Sequence, residues 1–558
     1  MKKIFTYPFF LLLIGNIQAQ TTFSFIGDGD WTDATQWENG NAPGITIDAD
    51  DTVQIFGTVT IPSETNITNS GTLETFSSAD GNTPTIIVQG ALINNNNINF
   101  SRATVTIEST GDLSSSNENA VLTITNNSIL TNFGSVTMFA GSIRLTSLVS
   151  SLINEQSFIM LPNTSLEILS GNFINGSENN TDLTNVSLSN SGSIINNGRS
   201  FTNRGELSNT QNGMIISSGD IDNEETGILS NAGIISINEF LSTLSNLGTF
   251  SNINMITIED DARIINSSPG IFTNQSDGTI MNNGDIENDS NFVNAGMLIN
   301  EGTVENVGTI SNSGTFENNN IYDDGTFGFN QEFINSGTLS GINTSHSVTL
   351  ENIDGILSPG NSVSDFGIYT IDGFLSDYVQ GANATLNIDL GGTVAGNTYD
   401  QVTVGDDVTS LDGTLNVSLL NDFAPEIGDS FTVLLPDGSL SGTFATVNLP
   451  ELPEGRIWDD VSYSSANGVV ITVIENPVLS VTDFNNQSNF QLYPNPTVDK
   501  INIQGLNDIV DAEIFTLDGK KVISTTMNST SKSINVESLE TGIYILNIEN
   551  SSYRFMKK

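Results

Sequence analysis

Residues 278–318 read GTIMNN-GDIEND-SNFVNA-GMLINE-GTVENV-GTISNS-GTFEN, one six-residue cassette repeated without a break. Position one is Gly278, Gly284, Gly296, Gly302, Gly308 and Gly314, with Ser290 the exception. Position three is a large apolar side chain: Ile280, Ile286, Phe292, Leu298, Val304, Ile310 and Phe316. Position five is always asparagine: Asn282, Asn288, Asn294, Asn300, Asn306, Asn312 and Asn318. An inward apolar residue between outward neighbours is the period of two of a strand. The rest of the cassette is a corner. Glycine there suggests a positive backbone dihedral, and asparagine tolerates the same left-handed region. Three cassettes close a triangular rung of about 18 residues, and rungs stack ~4.8 Å apart. The pattern predicts a parallel β-solenoid with an apolar interior. Its asparagine amides would stack into ladders, each donating to the next rung.

Outward from this stretch the cassette loosens. Gly192-Ser-Ile194, Gly205-Glu-Leu207, Gly213-Met-Ile215, Gly219-Asp-Ile221, Gly227-Ile-Leu229 and Gly233-Ile-Ile235 are earlier copies. Gly71-Thr-Leu73 and Gly337-Thr-Leu339 suggest its limits, which places the array at 67–355. About 285 residues in such rungs would make a rod of roughly 70 Å. Over 76–185 the apolar alternation persists but the cassette does not.

The chain has 558 residues, 15 Lys+Arg, 64 Asp+Glu, a net charge of −49 and no cysteine. Nothing in that balance could neutralise phosphates, so a nucleic-acid partner is excluded. Without cysteine there is no disulfide, thiolate metal site or cysteine nucleophile. No lysine occurs between Ile4 and Asp499. Residues 21–487 carry 6 basic and 56 acidic side chains (net −50), and the last 71 residues carry 7 and 8 (net −1). That step marks a domain boundary.

Both ends carry addresses. Lys2 and Lys3 followed by the apolar run Ile4 to Ile14 form a signal peptide over 1–19, with cleavage expected between Ala19 and Gln20. The run is too short to span a bilayer, and no later segment approaches a span, so no transmembrane segment is expected after signal removal. At the other end stand Phe490-Gln-Leu-Tyr-Pro-Asn-Pro-Thr-Val-Asp-Lys-Ile-Asn-Ile503, with Pro494, Asn495 and Pro496. Ile514-Phe-Thr-Leu-Asp-Gly-Lys-Lys-Val522 follows, with the turn Asp518-Gly519-Lys520. Then come Leu539-Glu-Thr-Gly-Ile-Tyr-Ile-Leu546, with Gly542 and Tyr544, and a basic end at Lys557 and Lys558. In this order and spacing, residues 488–558 resemble the type A C-terminal sorting domain of the type IX secretion system. The resemblance implies a small Ig-like β-sandwich in a Bacteroidota-type host. It also implies recognition by an outer-membrane translocon and removal by a sortase-like peptidase.

Two flanks frame the array. Residues 20–66, with Trp31, Trp37 and Pro43, resemble the N-terminal module of large bacterial surface proteins; the tryptophans suit a cap over the first rung. Residues 356–475 carry Tyr399-Asp-Gln-Val402, Leu411-Asp-Gly-Thr-Leu-Asn-Val417 and Gly428-Asp-Ser-Phe-Thr-Val-Leu434. These are similar to the C-terminal stretch of autotransporter-type β-helical passengers and related adhesins. The autotransporter's membrane barrel has no counterpart here, and a linker at 476–487 leads to the sorting domain.

Catalytic constellations are thin. The one histidine, His346, sits in a polar stretch expected to be an exposed loop. Acidic doublets occur at Asp260-Asp261, Asp323-Asp324, Asp406-Asp407 and Asp459-Asp460. Neighbours on a strand point to opposite faces, whereas a glycosidase needs two carboxylates flanking one bond. No cofactor is expected. Calcium is a candidate at Asp28, Asp30, Asp48, Asp50 and Asp51, because hard cations take several carboxylate oxygens. The expectation is an all-β, non-enzymatic, secreted or cell-surface adhesin or structural protein with a glycan or matrix ligand. The alternative is a polysaccharide-binding or polysaccharide-degrading β-helix.

Overall fold

A computed structural model describes residues 20–77, 81–238, 241–323, 332–342, 344–346, 349–361, 366–372, 377–405, 408–476, 490–549 and 551–558. The expected signal peptide and nearly all of the linker lie outside the described residues. The chain divides into two units, 1–476 and 477–558.

The first unit is a parallel β-solenoid with three faces. Each strand pairs with the strand three places later, in parallel, so three strands make one rung. The first face starts at Thr22–Phe25 and runs, among the described residues, through nineteen strands to Thr446–Asn448. The second starts at Asp28–Asp30 and the third at Thr46–Ile47. At ~4.8 Å per strand the first face is about 85 Å long. The ladders thus extend beyond 67–355 on both sides, and residues 20–66 already contribute the first rungs. They also run unbroken through 76–185, as in Thr104–Ile107 on Ile129–Asn132. Alternation alone sets which side chains turn inward there, so the cassette is dispensable.

A typical strand has four residues, outward, inward, outward, inward, as in Thr249-Phe-Ser-Asn252. Second positions fill the interior with aliphatic and aromatic side chains. On the third face Phe250, Phe272 and Phe292 succeed one another, with ring centroids 4.4 and 4.8 Å apart. Fourth positions hold the asparagines or, in other strands, further inward side chains such as Met138 and Ile258.

The glycines act differently from the corner reading above. The cassette glycines are not in the left-handed region, nor are the ladder asparagines. Instead, a Cβ on Gly302 would lie 2.0 Å from the carbonyl oxygen of Gly284 in the rung below. On Gly308 it would lie 2.1 Å from the Ser290 oxygen, and on Gly314 2.1 Å from the Gly296 oxygen. At these three corners the close stacking leaves no room for a Cβ, although Ser290 and Ala262 hold the equivalent position elsewhere in the stack. Above each corner the pattern repeats: the N–H groups of Glu301 and Gly302 both donate to the Asn282 carbonyl, at 2.8 and 3.0 Å.

Both ends of the stack are closed by other means. Trp31 and Trp37 pack edge-on at 5.0 Å beside Phe25, and both are buried. Their indole N–H groups donate to the carbonyls of Gly44 (2.6 Å) and Trp31 (2.9 Å). At the far end Ser430–Pro436 takes Gly468–Glu475 as an antiparallel partner, which in turn pairs with Arg456–Trp458 and Ser462–Ser464. Two sheets make the second unit: Gln491–Tyr493, Lys500–Gln504 and Ser533–Asn535 in one, and four strands between Val510 and Lys557 in the other. Ile501, Ile503, Ile514, Leu546 and Phe555 belong to its core.

Candidate functional site

The asparagine columns are interior. On the third face the side-chain Nδ2 of Asn190 donates to Asn209 Oδ1, and the column continues through Asn231, Asn252, Asn274, Asn294, Asn312 and Asn335 to Asn352. On the second face a column runs from Asn132 to Asn306, and on the first from Asn282 through Asn300 to Asn318. In the strict array the steps are 18 residues and 2.6–2.8 Å. The second Nδ2 hydrogen meets a carbonyl of the following corner, as from Asn294 to Thr315 at 2.9 Å. Both amide protons are thereby used, so a buried polar group costs little.

The columns have a direction, always from one rung to the next. A directed column starts with an acceptor that no donor below can reach, and Asn69 Oδ1 and Asn282 Oδ1 are such atoms. At the other end, Tyr369 is hydrogen-bonded to Asn318, and the Tyr378 hydroxyl donates to Gln380, which also accepts from Asn352. Burial pushes both tyrosine hydroxyls well above the usual phenol range. These asparagines hold the fold and are closed to any ligand.

The other expected positions are placed as follows. Ala19 lies outside the described residues; Gln20 is exposed. His346 belongs to the strand Thr344–His346, in register between Tyr322 and Ile371, and not to a loop. The strand's own residues, Thr-Ser-His, carry no apolar alternation to mark it in the sequence. Asp260-Asp261 forms an exposed turn, with Asp261 at φ 63°, and Asp459-Asp460 is an exposed loop. Asp324, Asp406 and Asp407 lie outside the described residues. Asp28 accepts from the Thr58 N–H at 2.7 Å and Asp51 from the Thr21 N–H at 3.2 Å. Among the described residues no group of three or more acidic or histidine side chains is placed to hold a metal ion.

What the solenoid offers to a partner is its three outward surfaces, which differ in chemistry over the same rungs. From Ser200–Asn203 to Thr303–Asn306 the second face presents Asp220, Asp222, Arg263, Asp285, Glu287 and Glu305. Asp220 is shifted upward by burial first and then by Asp222, and Arg263 pairs with Glu287 at 2.9 Å. The third face presents hydroxyls in consecutive rungs: Ser189, Ser208, Ser230, Ser251 and Thr273. From Ser193–Asn196 to Met297–Asn300 the first face carries no charge. Which outward residues share a face emerges only from the pairing of the strands.

In the C-terminal unit the sequence motifs converge on the last strand. Asn495 accepts from the Met556 N–H at 2.9 Å and donates to the Arg554 carbonyl at 3.2 Å. Thr497 exchanges backbone bonds with Met556 and Lys558 at 2.8 Å, so the exposed Pro494 and Pro496 flank a clamp on the terminus. Asp518, Gly519 and Lys520 turn Val510–Thr516 into Lys521–Met527, with Gly519 at φ 81°. Gly542 opens the strand Gly542–Ile548, in which Tyr544 is buried and stacks on Phe555. Lys557 is buried and its Nζ reaches the Lys558 carbonyl.

This two-sheet unit is a protein-export signal: the family model of the secretion system C-terminal sorting domain matches residues 491–558. The chain is therefore a type IX secretion substrate with a β-solenoid passenger, delivered to the cell surface or released. Among solved structures, the crystal structure of the TibC-catalyzed hyper-glycosylated TibA55-350 fragment is similar at 11% identity. The likeness covers 76% of this chain and 100% of that one, with a TM-score of 0.15. No curated protein matches the chain. No helix among the described residues is long and apolar enough to cross a membrane.

Proposed function

We propose that the passenger is a non-catalytic adhesin of the cell surface or its surroundings. One observation carries this reading: the outward residues form flat, regularly spaced columns. Such a surface repeats one weak contact many times, and linked weak contacts add steeply. The translocon and a sortase-like peptidase are its partners during export, and a glycan or matrix protein is its partner afterwards. The test is retention of the secreted chain on arrays of glycans and extracellular-matrix proteins, with reducing ends assayed in parallel. Specific retention without reducing ends is expected. Release of reducing ends from any polysaccharide would replace the adhesin by a degrading enzyme.

A further inference from the structure

The uncharged stretch of the first face is bounded on both sides. Before it stands the ion pair of Arg144 with Glu167, at 3.0 Å, and after it Glu317. Between them two outward columns cross six rungs. One is Ser193, Met214, Ile234, Met255, Thr279 and Met297; the other is Ile195, Ile216, Ser236, Thr257, Met281 and Ile299. Ile234 is 44% exposed, Met281 39% and Met297 43%, so the strip is open to solvent. Its twelve outward positions carry no charge, whereas the second face presents Asp220, Asp222, Arg263, Asp285, Glu287 and Glu305 over the same rungs.

At its N-terminal end the strip runs into a groove of about 520 Å³. The corner residues Pro162-Asn163 and Gln211-Asn212 project on its two sides, and Met214 and Ile234 of the strip line it. Ser191 and Ser193 complete a wall of amides and hydroxyls without a charged side chain.

We propose that this groove and the strip leading from it bind an uncharged polysaccharide. The proposal rests on the adhesin reading and gives its ligand class and place. A neutral sugar chain has apolar ring faces and hydroxyl edges, matching Met and Ile columns beside amide and hydroxyl donors and acceptors. An anionic polymer would meet no cation on the strip and the acidic field of the neighbouring face. A second copy is a poorer occupant. The strip covers on the order of 300 Å², well short of the ~800 Å² per partner of a stable interface. Pairing copies would also bring two strongly negative solenoids together.

The experiment is affinity electrophoresis of the full secreted chain through gels containing dextran, mannan, β-1,3-glucan or, as the anionic probe, alginate. Two variants add the same charge at outward positions: Ile234→Glu in the groove and Ser230→Glu on the third face. Retardation by a neutral polymer should weaken about tenfold in Ile234→Glu. In Ser230→Glu it should change by less than about twofold. Retardation by alginate alone, or equal retardation of both variants, overturns the site. If no polysaccharide retards the chain while a matrix protein retains it, the site falls and the adhesin reading stands; if nothing retains it, both fall. Self-association dissolved by Ile234→Glu would also overturn the proposal, by assigning the strip to a second copy. Unchanged melting of both variants shows that the fold is intact.

Discussion

One interior column of the third face is built from two materials. Asn69 and Asn94 begin it with an amide step, Ser115, Met138 and Met160 follow, and from Asn190 onward the amides resume through Asn352. The register never breaks between them, and Met138 and Met160 are as buried as the asparagines. The coil therefore asks for an inward side chain of suitable bulk at each fourth position, and either chemistry supplies it. The two differ in their tolerance. A methionine adapts to its neighbours, whereas an amide in a column is bound on both sides and cannot be changed alone.

The largest effect should come from the corner, which both regions share. Gly302→Ala forces a Cβ against the Gly284 oxygen, and backbone on both sides prevents relief; a loss of about 4 kcal/mol is expected, read by denaturant unfolding. A stable Gly302→Ala would show that the corners can spread. Next is Asn294→Leu. It removes the acceptor of one Nδ2 hydrogen of Asn274 and the donor to the Oδ1 of Asn312, for about 3 kcal/mol, while Met138→Leu should cost less than about 1.5 kcal/mol. Equal losses would erase the distinction between the two materials.

A subtler test extends one material into the other. Met160→Asn places an amide directly below Asn190, whereas Met138→Asn has only Ser115 and Met160 as neighbours. Both lose similar apolar burial, so Met160→Asn should be the milder by about 1 kcal/mol, one hydrogen bond. The smallest effect concerns pH. Amide columns do not titrate, but Tyr369 and Tyr378 beyond them are buried and held protonated. Their folded pKa values lie above the unfolded value, so stability is level below about pH 10 and falls as pH rises further. Tyr378→Phe should flatten that fall in melting curves taken across the alkaline range.

Seven cassettes were enough to read the solenoid, its eighteen-residue rung and its inward side chains, because these follow from local alternation. The glycines were read as left-handed because a corner is also a local idea; their reason lies in the rung below, about twenty residues away. Likewise the methionine stretch carried no cassette yet folds the same way. The Pro494-Asn495-Pro496 motif was legible as a signature, but its grip on Arg554 and Met556 was not, since the two segments are some sixty residues apart. The uncharged face could not be seen at all before pairing assigned each Met and Ile to a side.

Each ladder amide accepts once from below and donates once above, so taking out a whole rung leaves no atom over. Excising residues 283–300 would seat Asn282 directly beneath Asn318, the interval that already separates Asn282 from Asn300. A gene encoding this chain can thus gain or lose eighteen-residue units without inventing new contacts. Reach changes in steps of ~4.8 Å while the end caps stay the same. For a molecule exported to the outside of a cell, the distance it spans becomes an inherited dial, free to drift while the chemistry of its sides is kept.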